Sequence, residues 1–122
     1  MSIRTRKYIA YSILAIVFAS CANKKEIIAK KWPVKETIVS GQSLSGDMVS
    51  GFYLELNTNG NYTLSGMQTE KGTWQLSSNQ DSLITVNEEN RKAAYYIIEL
   101  NKNKLVLYDN SLGTETQTIF GD

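Results

Sequence analysis

Histidine is absent from this chain, and cysteine occurs once, at position 21. The first absence removes the usual general base and the commonest metal ligand. The second leaves no pair of thiols for a disulfide, so a fold must stand on its core alone. Proline also occurs once, at Pro33. Serine and threonine are plentiful, but no base is placed to activate one of them. The facing carboxylates that glycoside hydrolysis needs are missing as well. Glu88 and Glu89 fall in a polar turn beside Arg91 and Lys92, and Glu55 and Glu99 fall on outward strand phases. Asn57, Asn59, Asn61, Asp109 and Asn110 lack the closing Glu of a calcium loop. The glycines at 41, 46, 60 and 66 belong to turns, and no helix follows to hold a phosphate. The expectation is a protein that is not an enzyme, with no metal site and no cofactor.

What is present begins with a basic start at Arg4, Arg6 and Lys7. An apolar run, Ile9 to Ala19, follows and is broken only by Tyr11 and Ser12. It is too short for a bilayer core, which takes about 20 residues. Phe18-Ala19-Ser20-Cys21 comes next, with small residues ahead of the thiol. The arrangement resembles the lipobox of bacterial lipoproteins, in which the cysteine takes a diacylglycerol thioether and, after cleavage, a palmitate-type N-acyl chain. Residues 1–20 are then a signal peptide, 21–31 the lipidated Cys21 with a short tether, and 32–122 the domain. Cleavage leaves 102 of the 122 residues and removes three of the 13 basic ones, so 10 bases face 12 acids, a net −2. That balance argues against a nucleic-acid partner. Ala22 follows the cysteine, and the next residues are not acidic-rich, which points to the outer membrane with the protein facing the periplasm. The tether carries Lys24, Lys25, Lys30 and Lys31, available to anionic head groups. It has one candidate helical turn, around Ile27-Ile28.

From Trp32 onward the pattern is β. Val34 to Val39 alternates, and Gly41 to Asp47 reads as a loop. Ser50 to Asn57 sets Phe52, Leu54 and Leu56 against Tyr53, Glu55 and Asn57. Asn59-Gly60 is a tight-hairpin signal. Tyr62 and Leu64, then Trp74 and Leu76, share an inner phase, and Glu70-Lys71 reads as a turn. Leu83 to Val86, Ala93 to Leu100 (with Tyr96, Ile98 and Leu100 in phase), Lys104 to Tyr108 and a Thr-rich run to Phe120 follow. About eight short strands at ~10–12-residue spacing argue for an all-β antiparallel meander, either folded as a sandwich or closed as a small up-and-down barrel; closure is favoured because an open sheet would leave two edges exposed.

These residues resemble the lipocalin-like domain of small envelope lipoproteins of Bacteroidetes-type bacteria. The likeness rests on Lys31-Trp32, Phe52-Tyr53-Leu54-Glu55-Leu56, Asn59-Gly60-Asn61-Tyr62, Gly72-Thr73-Trp74-Gln75-Leu76, Tyr96-Ile97-Ile98-Glu99-Leu100 and Leu105-Val106-Leu107. It spans roughly residues 30–120 and implies the same barrel fold. The inward aromatics Trp32, Phe52, Tyr62, Trp74 and Tyr96 form the candidate pocket. They either grip a small hydrophobic or glycan-like ligand or fill a barrel too small to be hollow, and core filling is favoured. The alternative function is a structural subunit whose outer face docks to another envelope protein.

Acyl chains bury ~0.8 kcal/mol per CH₂, so two or three of them hold a protein in a membrane almost irreversibly. Wild type is expected in the detergent phase on phase partitioning, and Cys21→Ser uncleaved or released. A mature-sized Ser variant in the membrane fraction would sink the lipobox reading.

Overall fold

Strands that are apolar on one face roll into a barrel when the first can pair with the last, and that is what happens here. The computed structural model describes residues 24–111 and 113–121; the signal segment and Cys21 lie outside them. The strands are β1 (Lys31–Val39), β2 (Gln42–Ser45), β3 (Tyr53–Leu56), β4 (Asn61–Ser65), β5 (Thr69–Leu76), β6 (Ser82–Asn87), β7 (Lys92–Leu100), β8 (Lys104–Asp109) and β9 (Thr116–Gly121). Neighbours in the order β2-β1-β3-β4-β5-β6-β7-β8-β9 pair antiparallel, and β1 also pairs with β9. The wall is therefore a closed meander of β1 and β3 to β9, with no free edge of its own.

The added strand is β2, which falls where the sequence predicted a loop. Ser40 and Gly41 both adopt positive φ, 51° and 84°. That is the two-residue hairpin geometry whose twist matches its strands. Residues 42–45 then pair with 36–39 of β1. All four are exposed, so no alternation marked them as a strand. The Asn59-Gly60 turn also differs from expectation. The connection runs from Asn57 to Gly60, and only Gly60 is left-handed, at φ 93°. Its N–H donates to the Asn57 carbonyl at 3.0 Å. Gln80 and Asn90 repeat this geometry without glycine, at φ 61° and 63°, donating to Ser77 and Asn87.

Two bulges set what points inward. One lies in β1 between Val34 and Glu36, so Trp32 and Val34 face the interior and Thr37 follows them there. The other lies in β7 between Ile97 and Glu99. Tyr95 and Ile97 face the interior, Ile98 is the extra residue, and Leu100 returns to the core side. Bulges of this kind bend a strand so that a small barrel can close. Tyr96 is consequently outside the barrel, 56% exposed, with Ile98 at 59%. The inward placement of Tyr96 is thus corrected: both phases of Ala93 to Leu100 are apolar, and alternation alone could not choose between them.

The end of the barrel reached by the β3–β4, β5–β6 and β7–β8 turns is closed. A helical turn over residues 24–28, anticipated around Ile27-Ile28, lies against it. Ile28 and Trp32 are fully buried, and the Trp32 indole N–H donates to the Ile28 carbonyl at 2.8 Å. The Leu56 N–H donates to the Lys30 carbonyl at 3.0 Å. Lys30 Nζ sits 4.2 Å from the Trp32 ring centroid and donates to the Lys102 carbonyl at 2.6 Å. Residues 28–31, assigned to the tether from sequence, therefore belong to the folded unit. Leu56, Trp74, Leu83 and Leu105 complete the packing with Ile28 and Trp32.

Truncating a fully buried isoleucine to alanine removes transfer energy and leaves a void, a loss of about 2–5 kcal/mol. Ile28→Ala should therefore lower the melting temperature by roughly 8 °C or more. Ile27→Ala, at a half-buried neighbour, should lower it much less. Equal melts would place Ile28 outside the core.

Candidate functional site

The opposite end of the barrel is open. It is bounded by the β1–β2 hairpin, the β4–β5 turn at Gly66 to Gln68 and the β8–β9 connection. A cavity of about 390 Å³ runs inward from this mouth. Its deep wall is made by Leu54, Leu83, Leu107 and Phe120, all buried. Phe52, Val34 and Leu64 carry the apolar lining outward. Thr116 and Thr118 of β9 add hydroxyls on one side, Thr85 and Tyr95 on the other. The interior is thus filled in its closed half and hollow in its open half, so each of the two alternatives left by the sequence describes one half of the barrel.

The five aromatics separate accordingly. Phe52 and Tyr62 line the cavity. Trp32 and Trp74 do not: they pack in the closed half, where the Trp74 indole N–H donates to the Asn57 carbonyl at 2.9 Å. Their polar atoms are spent on backbone, so both act as structure. Tyr96 is on the outer face.

The residue that sequence reasoning missed is Glu70. It was read as part of a turn, but β5 begins at Thr69. Counting back by twos from Trp74 through Gly72 puts Glu70 on the inner face, a signal present in the alternation. Its Oε2 accepts the Tyr62 hydroxyl at 2.8 Å, and its Oε1 accepts the Asn87 amide at 3.3 Å. Tyr62 itself is held by a tight fit. It pairs across the β4–β5 ladder with Gly72, and its ring lies against that residue. A Cβ at Gly72 would collide with the Val86 carbonyl oxygen and with the Tyr62 ring. Glycine is required here by close approach, not by its backbone angles.

Burial, 2% exposed for the whole residue, pushes the Tyr62 phenol far above its ordinary value, and the hydrogen bond and charge of Glu70 push it further. The Tyr95 phenol is also raised, first by burial and then by the charges of Glu70 and Asp109. Both phenols are therefore neutral donors at physiological pH. Glu70 and Asp109 are the charged residues of the lining, and no Lys, Arg or His is among them. Among the described residues no group of His, Cys, Asp and Glu is arranged to hold a metal ion. No helix among them is long and apolar enough to cross a membrane.

The model of the lipocalin-like domain family matches residues 28–107. The chain belongs to the lipocalin-like domain family. This lipocalin-like chain is similar to a crystal structure of a lipocalin-like protein from Bacteroides uniformis, with a TM-score of 0.61 and 16% identity, covering 79% of this chain and 98% of that one. It is also similar to a DUF4847-family protein from Bacteroides vulgatus, with a TM-score of 0.56 and 16% identity, over 80% of this chain and 95% of that one. A protein from Bacteroides eggerthii aligns with a TM-score of 0.60 at 12% identity, over 77% and 98%. At such identities the likeness shows the fold. No curated protein matches the chain. The family match begins at Ile28, the residue that closes the barrel.

A phenol whose folded pKa is raised contributes stability that is complete below its unfolded value of 10.0 and is lost as pH rises above it. The lipocalin-like domain should therefore lose stability above about pH 10. In an ultraviolet phenolate titration Tyr62 should ionise last, and Glu70→Gln should bring its step to lower pH. A Tyr62 step unmoved by that substitution would show that Glu70 does not act on it.

Proposed function

We propose that the protein is a lipid-anchored envelope lipoprotein whose lipocalin-like barrel holds a small, largely apolar molecule. The observation that carries this reading is the open cavity of about 390 Å³ with its buried apolar deep wall. Small-molecule sites are typically concave, apolar and ~300–1,000 Å³, with few placed polar groups. This cavity sits at the small end of that range, with Tyr62, Tyr95 and the threonines as the polar groups.

The reading is non-catalytic. A chain without histidine offers the cavity two carboxylates and neutral hydroxyls, and Glu70 is already engaged by Tyr62 and Asn87. Holding a molecule needs no more than this. The anchor in this proposal is Cys21, three residues before the helical turn on the closed end. Three residues span ~10 Å at most. An anchored barrel then presents its closed end to the bilayer, with Lys24, Lys25, Lys30 and Lys31 beside the head groups. Its mouth points away from the outer membrane into the periplasm, so cargo enters from the aqueous side. A second reading, docking to another envelope protein through the outer face, is favoured by the exposed Tyr96 and Ile98 of β7.

The neutral dye N-phenyl-1-naphthylamine tests the cavity. With the domain from residue 24 onward it should brighten and saturate at one site. Thr116→Trp and Thr118→Phe, which fill the cavity from β9, should each weaken uptake by about 10-fold or more, some 1.4 kcal/mol, while the fold melts cooperatively. Saturable uptake that both variants retain would exclude the cavity as the site. No uptake at all, with a partner protein recovered on Tyr96 and Ile98, would favour the docking reading.

A further inference from the structure

The charge that lines the cavity of this barrel is of one sign. Lys24, Lys25, Lys30, Lys31, Lys102 and Lys104 all belong to the closed end, where the N-terminal segment meets the β7–β8 turn. The cavity has the opposite character. Glu70 pairs with Leu64 one step below the β4–β5 turn, and Asp109 is the last residue of β8, paired with Thr116. Both carboxylates line the cavity near its mouth, and no basic side chain lines it at any depth. The bases nearest in sequence do not offset them. Lys71 is exposed, on the opposite phase of β5 from Glu70; at the β6–β7 turn Arg91 is drawn to Glu89 at 3.5 Å on the surface, and Lys92 is exposed on the outward phase of β7.

Glu70 has acceptor capacity to spare. An ionised carboxylate offers about four lone-pair sites. Two are used, by the Tyr62 hydroxyl and the Asn87 amide. Asp109 Oδ1 accepts the Ser111 N–H at 2.9 Å, and Oδ2 accepts no hydrogen bond among the described residues. Below these acceptors the lining turns apolar, through Leu64 and Phe52 to Leu54, Leu83 and Phe120. A ligand that satisfies both levels has an apolar body and a head that donates hydrogen bonds and carries positive charge. A carboxylate or phosphate head would meet two like charges and no counter-ion.

We propose that the cavity selects a small amphiphile with a cationic, ammonium-type head, its tail against the deep wall and its head between Glu70 and Asp109. This rests on the proposed ligand-holding role and narrows it to one class, excluding fatty-acid-like and phosphorylated cargo.

The test uses the mature lipidated protein in phosphatidylcholine nanodiscs, with empty discs as the blank. Octylamine, octanol and octanoate are titrated calorimetrically at neutral pH. Octylammonium should bind about 10-fold tighter than octanoate or better, with octanol between them. In the double variant Glu70→Gln, Asp109→Asn the three should converge, while a cooperative thermal melt shows the fold intact. Octanoate binding as tightly as octylammonium, or a ranking that survives in the double variant, overturns the proposed selectivity while leaving ligand binding standing. Binding by none of the three above the blank overturns ligand binding itself, and the selectivity with it.

Discussion

Everything in this molecule hangs on one buried indole. Trp32 is fully enclosed, bonded through its N–H to the Ile28 carbonyl and covered by the Lys30 ammonium. The strand that carries it pairs with β3 below the bulge, with β2 above it and with β9 on both sides of it. A single side chain thus ties the N-terminal segment, the seam of the barrel and the floor together. A cation over an indole face adds ~0.5–2 kcal/mol to its burial. Without a disulfide, this local concentration of packing and polar pairing is what the fold uses to keep its ends joined.

The floor is also what permits the hollow. A barrel of this size gains stability from filling its interior, and a void forfeits contacts. Here the filling is confined to one half, where both tryptophans, Ile28, Leu56, Leu83 and Leu105 sit together. The other half keeps threonines along β9 where larger apolar residues would fit, and it sets a charged residue, Glu70, on an inner phase. Buried polar groups are tolerated when bonded. Tyr62, Glu70 and Asn87 satisfy one another in the wall of the cavity, so the hollow does not require a ligand to be coherent.

Much of this was legible in the sequence. Alternation placed Leu54, Leu56, Tyr62 and Trp74 correctly, because each stands on a strand with one apolar and one polar phase. The antiparallel meander followed from the spacing of the turns, and its closure from the cost of leaving two edges exposed. Three things were not legible, each for a definite reason. Tyr96 was misplaced because β7 is apolar on both phases and contains a bulge, which period-two counting cannot see. Ile28 was left in the tether because a lone apolar pair among lysines gives no periodic signal; only the tertiary contact reveals it. The pocket was equated with the aromatics, although two of them serve the floor. The groups that give the cavity its polarity, Glu70, Thr85, Thr116 and Thr118, come from residue types that sequence alone reads as surface.

Gly72 has a consequence that reaches beyond its own strand. Only a hydrogen atom fits between the β5 backbone, the Val86 carbonyl and the Tyr62 ring. A two-residue slip of β4 against β5 would keep every side chain on its proper face, so hydrophobicity alone would not forbid it. Such a slip would set Glu70 or Trp74 beneath the tyrosine in place of the glycine, and neither can occupy that space. The missing side chain therefore works as a gauge block: the one alignment it passes is the one that delivers the phenol to the carboxylate at the mouth.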